Sequence, residues 1–235
     1  MKKTNRNDLK VAYDMTTVQL GWALWMIAIT LIIFIGIRYV FGDKNDLGID
    51  GFLVFIENPY KIFMLVIGIL SVPSFLTFYV KLGVTRKQYF VGTVISSAAL
   101  STIFMIIAVM IGGLEQLLAP IEVVTFLGPN TPWLTIFFVF TLNIFIYYIA
   151  GWLIGAGYYR YGGWGLFITI SGSLGLIFMT DLFWSRELNT PLHRFFSLHT
   201  LEHFSLVISF SVSFILLAVS LWAIRLLTKS VRIKM

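Results

Sequence analysis

Six stretches of this sequence each run for roughly 20 residues with almost no charge, the length a helix needs to cross the hydrocarbon core of a bilayer. They lie at approximately 18–41, 60–80, 89–112, 133–157, 164–182 and 204–227. Inside a bilayer every backbone N–H and C=O must find a partner within the chain, and a helix supplies those partners from a single segment. The sequence therefore predicts an all-α membrane protein, a single transmembrane domain over 1–235 with six spans. Only 12% of the residues are charged, about half of what a soluble domain carries. The fourth and fifth stretches are separated by Tyr158–Gly163 alone. Arg160 sits among tyrosines there, and Gly162 with Gly163 permits a tight reversal.

Charge sets the orientation. With the first residues on the cytoplasmic side, the inner segments hold twelve basic residues: Lys2, Lys3, Arg6, Lys10, Lys81, Arg86, Lys87, Arg160, Arg225, Lys229, Arg232 and Lys234. The outer segments hold five, Arg38, Lys44, Lys61, Arg186 and Arg194. That excess on one side is the bias of cytoplasmic loops, so both ends are expected to be cytoplasmic. The net charge of +6 thus reads as membrane topology rather than nucleic-acid binding. The start, MKKTNRNDLK, looks only superficially like a secretory leader. No small-x-small cleavage site follows Val18–Val40, so an uncleaved first span is expected. Ahead of it, Leu9, Ala12, Tyr13, Thr16 and Leu20 share one helical face while Arg6, Lys10 and Asp14 share another. This pattern predicts a short amphipathic helix on the membrane surface.

Several chemistries are excluded. Without cysteine there is no disulfide, thiolate zinc site or iron–sulfur cluster. No G-x-x-x-x-G-K-[ST] phosphate loop occurs. No Asp, Glu, Lys or His falls deep within a predicted span, where an ion-coupled transporter usually keeps one. A driving force supplied by another subunit is the expectation.

Between the second and third spans, residues 81–90 read Lys-Leu-Gly-Val-Thr-Arg-Lys-Gln-Tyr-Phe. Gly83 is suited to end one helix and Thr85 to cap the next. The Gly-x-Thr-Arg-Lys-x-x-Phe stretch resembles ABC-2-type permeases, the membrane subunits of a large class of bacterial ABC transporters. The leader, the six spans, the basic tail and the chain length fit that layout. The resemblance implies a permease of the bacterial inner membrane that is not itself an enzyme, has no catalytic residue and binds no cofactor or metal. ATP and Mg²⁺ would sit on a separate cytoplasmic ATPase dimer, and a second permease copy, identical or related, would complete the pore. It further implies a coupling segment built from Gly83, Thr85, Arg86, Lys87, Tyr89 and Phe90. There Arg86 and Lys87 would meet an acidic partner and Tyr89 and Phe90 would anchor it. Aromatic-rich surfaces and the family together suggest amphipathic or hydrophobic cargo.

Within the spans, Gly151 with Gly155, Ser97 with Ser101, Ser205 with Ser209 and Ser213, and Gly172 with Gly175 read first as close helix packing. Asn143, the one amide well inside a predicted span, is the candidate for a translocation path. Pro73, followed by Ser74, predicts a kink in the second span. On the outer side, Asp181–His203 carries all three histidines. Its string H-x-x-E-H, with His199, Glu202 and His203, admits a rival reading as a membrane metallohydrolase. The resemblance instead implies short outer helices, a cap over the exit in which Phe195 and Phe196 supply an apolar face and His199, Glu202 and His203 face water. A non-ABC binding or scaffold subunit is the remaining alternative.

Overall fold

In the computed structural model of the chain, the described residues are 5–41, 51–118, 125–128, 131–184 and 205–229. They form α1 (Asn5–Phe41), α2 (Phe52–Leu70), a π-helical turn (Ser71–Leu76), α3 (Thr77–Lys81), α4 (Arg86–Leu118), α5 (Trp133–Phe183) and α6 (Leu206–Lys229). Five helical rods are long and apolar enough to cross a membrane: α1, the α2–α3 rod, α4, α5 and α6. Their outward faces carry Trp25, Ile32, Phe167, Val207 and Trp222, all exposed. An apolar surface of that extent does not persist in water, and the chain is a multi-pass membrane protein.

α5 is too long to be one straight rod. At Gly162 the backbone takes φ 66° and ψ −140°, and the chain turns back on itself. The Ser173 hydroxyl donates to Ala150 O at 2.9 Å, whereas 23 residues of continuous helix would separate these groups by about 35 Å. The two arms, 133–161 and 163–183, therefore lie side by side, close enough that a Cβ on Gly165 would stand 2.2 Å from Gly157 O.

The α2–α5 interface forms the closest backbone seam. A Cβ on Gly68 would stand 2.3 Å from Tyr148 O, one on Gly151 2.0 Å from Leu65 O, and one on Gly155 2.3 Å from Ile69 O. The Gly151–Gly155 pair thus serves close packing, as its spacing predicts. The matched offsets, 65 with 151 and 69 with 155, make α2 and the first arm of α5 run parallel. Gly175, by contrast, has nothing within 4 Å and packs against no neighbour. Pro73 sits in the π-helical turn. Its ring nitrogen has no hydrogen to give Ile69 O, and the wider turn absorbs the break.

The separate surface helix expected before the first span is absent: α1 is uninterrupted from Asn5 to Phe41. No Gly precedes Gly21 and no Pro precedes Pro59, so nothing breaks the helix where the leader meets the span. The expected apolar face is split: Ala12 is buried and Thr16 and Leu20 are half-buried, while Leu9 and Tyr13 are exposed. The row Val11, Met15, Gln19, Ala23 and Ile27 is buried, and Val11 packs against Gly92 of α4.

One end of the bundle gathers the start of α1, the α3–α4 turn, the Gly162 reversal and the end of α6. At the opposite end, Glu115 of α4 pairs with Arg38 of α1 and accepts the Phe52 N–H at 2.8 Å. A carboxylate borrowed from another helix thus caps α2 and starts it eight residues before the predicted span. The earlier start brings two ionisable residues into the first half of this apolar helix. Glu57 and Lys61 lie within α2 and are buried, 2.7 Å apart.

Candidate functional site

The α3–α4 turn is built from two local devices. Gly83, at φ 82°, places its N–H 3.0 Å from Val80 O, and the Val84 N–H lies 3.0 Å from Tyr79 O. Together these close the last turn of α3 in a Schellman arrangement that needs a left-handed residue at Gly83. Thr85 then opens α4. The Gln88 N–H donates to Thr85 Oγ1 at 3.2 Å, and the Thr85 N–H donates to Gln88 Oε1 at 3.0 Å. This reciprocal capping box fixes the chain direction on the far side of the turn.

The six residues expected to act together divide into two groups. Gly83, Thr85 and Lys87 are exposed at the tip, with Lys81 and Leu82 beside them. Leu82 is 65% exposed, an apolar contact point that the sequence reading passed over. Arg86 is half-buried and donates to Lys229 O at 2.8 Å. Tyr89 is fully buried, and its hydroxyl donates to Ser71 O at 2.7 Å. Phe90 packs at a tilt with its ring 5.2 Å from that of Trp152 and lies under the Arg225 guanidinium at 5.5 Å. Tyr89 and Phe90 are therefore interior packing groups, not surface anchors. Four residues into α4, a side chain on that face already points into the bundle.

Arginines finish the same end. Arg160, beside the reversal, donates to Leu226 O and Leu227 O, and Arg86 takes Lys229 O. These carbonyls belong to the last turn of α6, where no helical donor remains and the dipole favours a cation. Among the described residues this end holds seven basic side chains, Lys10, Lys81, Arg86, Lys87, Arg160, Arg225 and Lys229, against two acids, Asp8 and Asp14.

Comparison with protein-family models finds no match, and searches of curated proteins and of solved structures find none either.

An apolar cavity of about 420 Å³ opens between α4, the first arm of α5 and α6. Phe138, Phe145, Phe210 and Phe214 line it, together with Thr102, Thr135 and Thr141. Asn143 is not among its lining residues. It is fully buried, and its Nδ2 donates to Val139 O at 2.8 Å within its own helix. The outer-cap residues Phe195, Phe196, His199, Glu202 and His203 lie outside the described residues.

Sequence reasoning missed Gln19. It is fully buried and sits at the centre of a polar chain joining three helices. The Thr16 hydroxyl donates to Ser96 Oγ at 3.0 Å, the Ser96 hydroxyl to Gln19 Oε1 at 3.4 Å, and Gln19 Nε2 to Tyr148 Oη at 3.2 Å. The 11–15–19–23 spacing was the signal that could have found it. Gln19→Leu is expected to lower stability by about 1 kcal/mol, read by reversible unfolding in mixed micelles. No change would mean that the network only fills space.

Proposed function

We propose that the chain is the membrane-spanning permease subunit of an ATP-driven ABC exporter, working with a separate cytoplasmic ATPase dimer and a second permease copy. On this reading the membrane is crossed six times, the two arms of α5 counting as two crossings, with the Gly83 and Gly162 turns and both chain ends in the cytoplasm. The observation that carries it is the tip at Lys81–Lys87. A rigid, basic turn with one exposed leucine at its apex suits a groove on an acidic partner. The first part of the stretch that resembles ABC-2 permeases, Gly83 to Lys87, falls on this tip. The excess of basic residues at the same end supports its cytoplasmic placement.

The working contacts differ from those the resemblance implies. Leu82, Lys81 and Lys87 meet the ATPase, while Tyr89 and Phe90 tie the tip to the bundle. ATPase closure moves the tip, and Tyr89 passes that movement to Ser71 and the π-helical turn. The phenylalanine-lined cavity between α4, α5 and α6 supports amphipathic or apolar cargo.

The test is association. The chain, tagged and purified in mild detergent from its native membrane, is expected to bring a phosphate-loop ATPase with vanadate-sensitive hydrolysis. The pair Leu82→Asp and Lys87→Glu is expected to reduce that association at least tenfold with the permease still folded. A wild-type chain that brings no such ATPase would sink the reading, and a double variant that still couples hydrolysis to transport would remove the tip from it.

A further inference from the structure

Lys61 Nζ, already paired with Glu57, also lies 5.6 Å from the centroid of the Tyr147 ring. The register of the glycine seam extends this neighbourhood. One turn back from the contact of Leu65 with Gly151, Lys61 faces Tyr147, and a further turn back Glu57 and Asn143 share a level. The second arm of α5 runs the other way. From the Ser173–Ala150 bond its course brings Asp181 to that same level.

Asp181 is 5% exposed, and its Oδ1 has no hydrogen-bond partner. By the same register Glu57, a charge of like sign, lies at its level. Lys61 is held by Glu57 and lies over the Tyr147 ring. Tyr60 of α2, a buried hydroxyl without a hydrogen-bond partner, packs on Phe104. α6 presents only the Ser209 and Ser213 hydroxyls, which donate to Phe183 O and Ser209 O.

Among the described residues Asp181 has no cation paired with it, and a carboxylate withdrawn from water without such a partner is costly when ionised and becomes neutral instead. A second orphan points the same way. Asn143 Oδ1, fully buried at the level of Asp181, also lacks a donor. Two acceptors without a donor at one level are both satisfied by a single O–H between them.

We propose that Asp181 is an exchangeable proton site in the outer part of the bundle, its carboxyl held as a neutral acid among Asn143, Tyr147 and the Glu57–Lys61 pair. The carboxylate takes up one proton from the medium and returns it, and no other bond changes. The site is independent of the ATPase partnership, so either can fail alone.

The full-length chain in lipid nanodiscs tests the site in two ways. Dicyclohexylcarbodiimide reacts with protonated carboxyl groups in apolar surroundings, and peptide mass spectrometry is expected to place an adduct on Asp181. That adduct should be at least tenfold above the Asp181→Asn background and retained in Glu57→Gln. Infrared difference spectra across a pH step should show a carboxylic-acid C=O band that shifts in ²H₂O, shifts again in Asp181→Glu and vanishes in Asp181→Asn. Should Asp181→Asn fail to assemble, the glutamate shift alone assigns the band. Absence of both adduct and band overturns the proposal. Protection of the adduct by Na⁺ but not by K⁺ at fixed pH also overturns it, because the site would then hold a metal cation rather than a proton.

Discussion

Gly151→Val will force α2 away from α5 and lower stability by about 3 kcal/mol, the upper part of the range for overpacked cores. The reason is what the new atoms would strike. A Cβ at Gly151 would stand 2.0 Å from Leu65 O and 3.0 Å from Ile69 N. Both are backbone atoms of a helix, so no rotamer change relieves the collision and the whole rod must move. Gly68 and Gly155 are built to the same clearance, and a shift that frees Gly151 opens the seam along its length. Gly175→Val is the control, since that position has nothing within 4 Å and should change stability by no more than about 0.5 kcal/mol. Reversible unfolding in mixed micelles gives both values. Equal effects at the two positions would show that loss of glycine itself, rather than the seam, sets the cost.

The second large effect is expected at Gly162. At φ 66° and ψ −140°, a side chain of any kind meets the backbone, and Gly162→Ala should cost about 1–3 kcal/mol. The chain cannot escape by straightening. A continuous α5 of 51 residues would extend for about 77 Å, more than twice the hydrocarbon thickness of a bilayer. The neighbouring Gly163 has no such backbone and open space around it, so Gly163→Ala should stay within about 0.5 kcal/mol. If both substitutions prove neutral, the reversal does not depend on glycine torsions.

How much of this could be read from the residues differs from place to place. Apolar runs found every long helix, because a bilayer admits few other solutions. The Tyr158–Gly163 punctuation gave the reversal, and the Gly83 and Thr85 caps followed from local chemistry that needs no distant partner. The failures all involve a second element. α2 was begun too late because its cap, Glu115, comes from α4. With Glu57 outside the predicted span and Lys61 and Asp181 at the margins of theirs, the spacing does not show that the three meet. Tyr89 and Phe90 were placed at the surface because the face that α4 turns inward depends on Ser71 and Trp152. The leader's apolar spacing takes in Leu9, Ala12, Tyr13, Thr16 and Leu20, yet burial centres on the row from Val11 to Ile27, which packing against α4 and α5 selects.

The widened turn at Ser71–Leu76 has a consequence for α2 itself. It holds one residue more than an α-helical turn, and that surplus residue has no fixed home in a helix. Were it to slip along the rod, each residue it passed would swing by about 100° around the axis. Val72 and Leu76, now inward, would change sides. The Tyr89 hydroxyl on Ser71 O therefore acts as a detent. It sets the rotational phase of α2, and a tug on the neighbouring turn is felt first by that one bond.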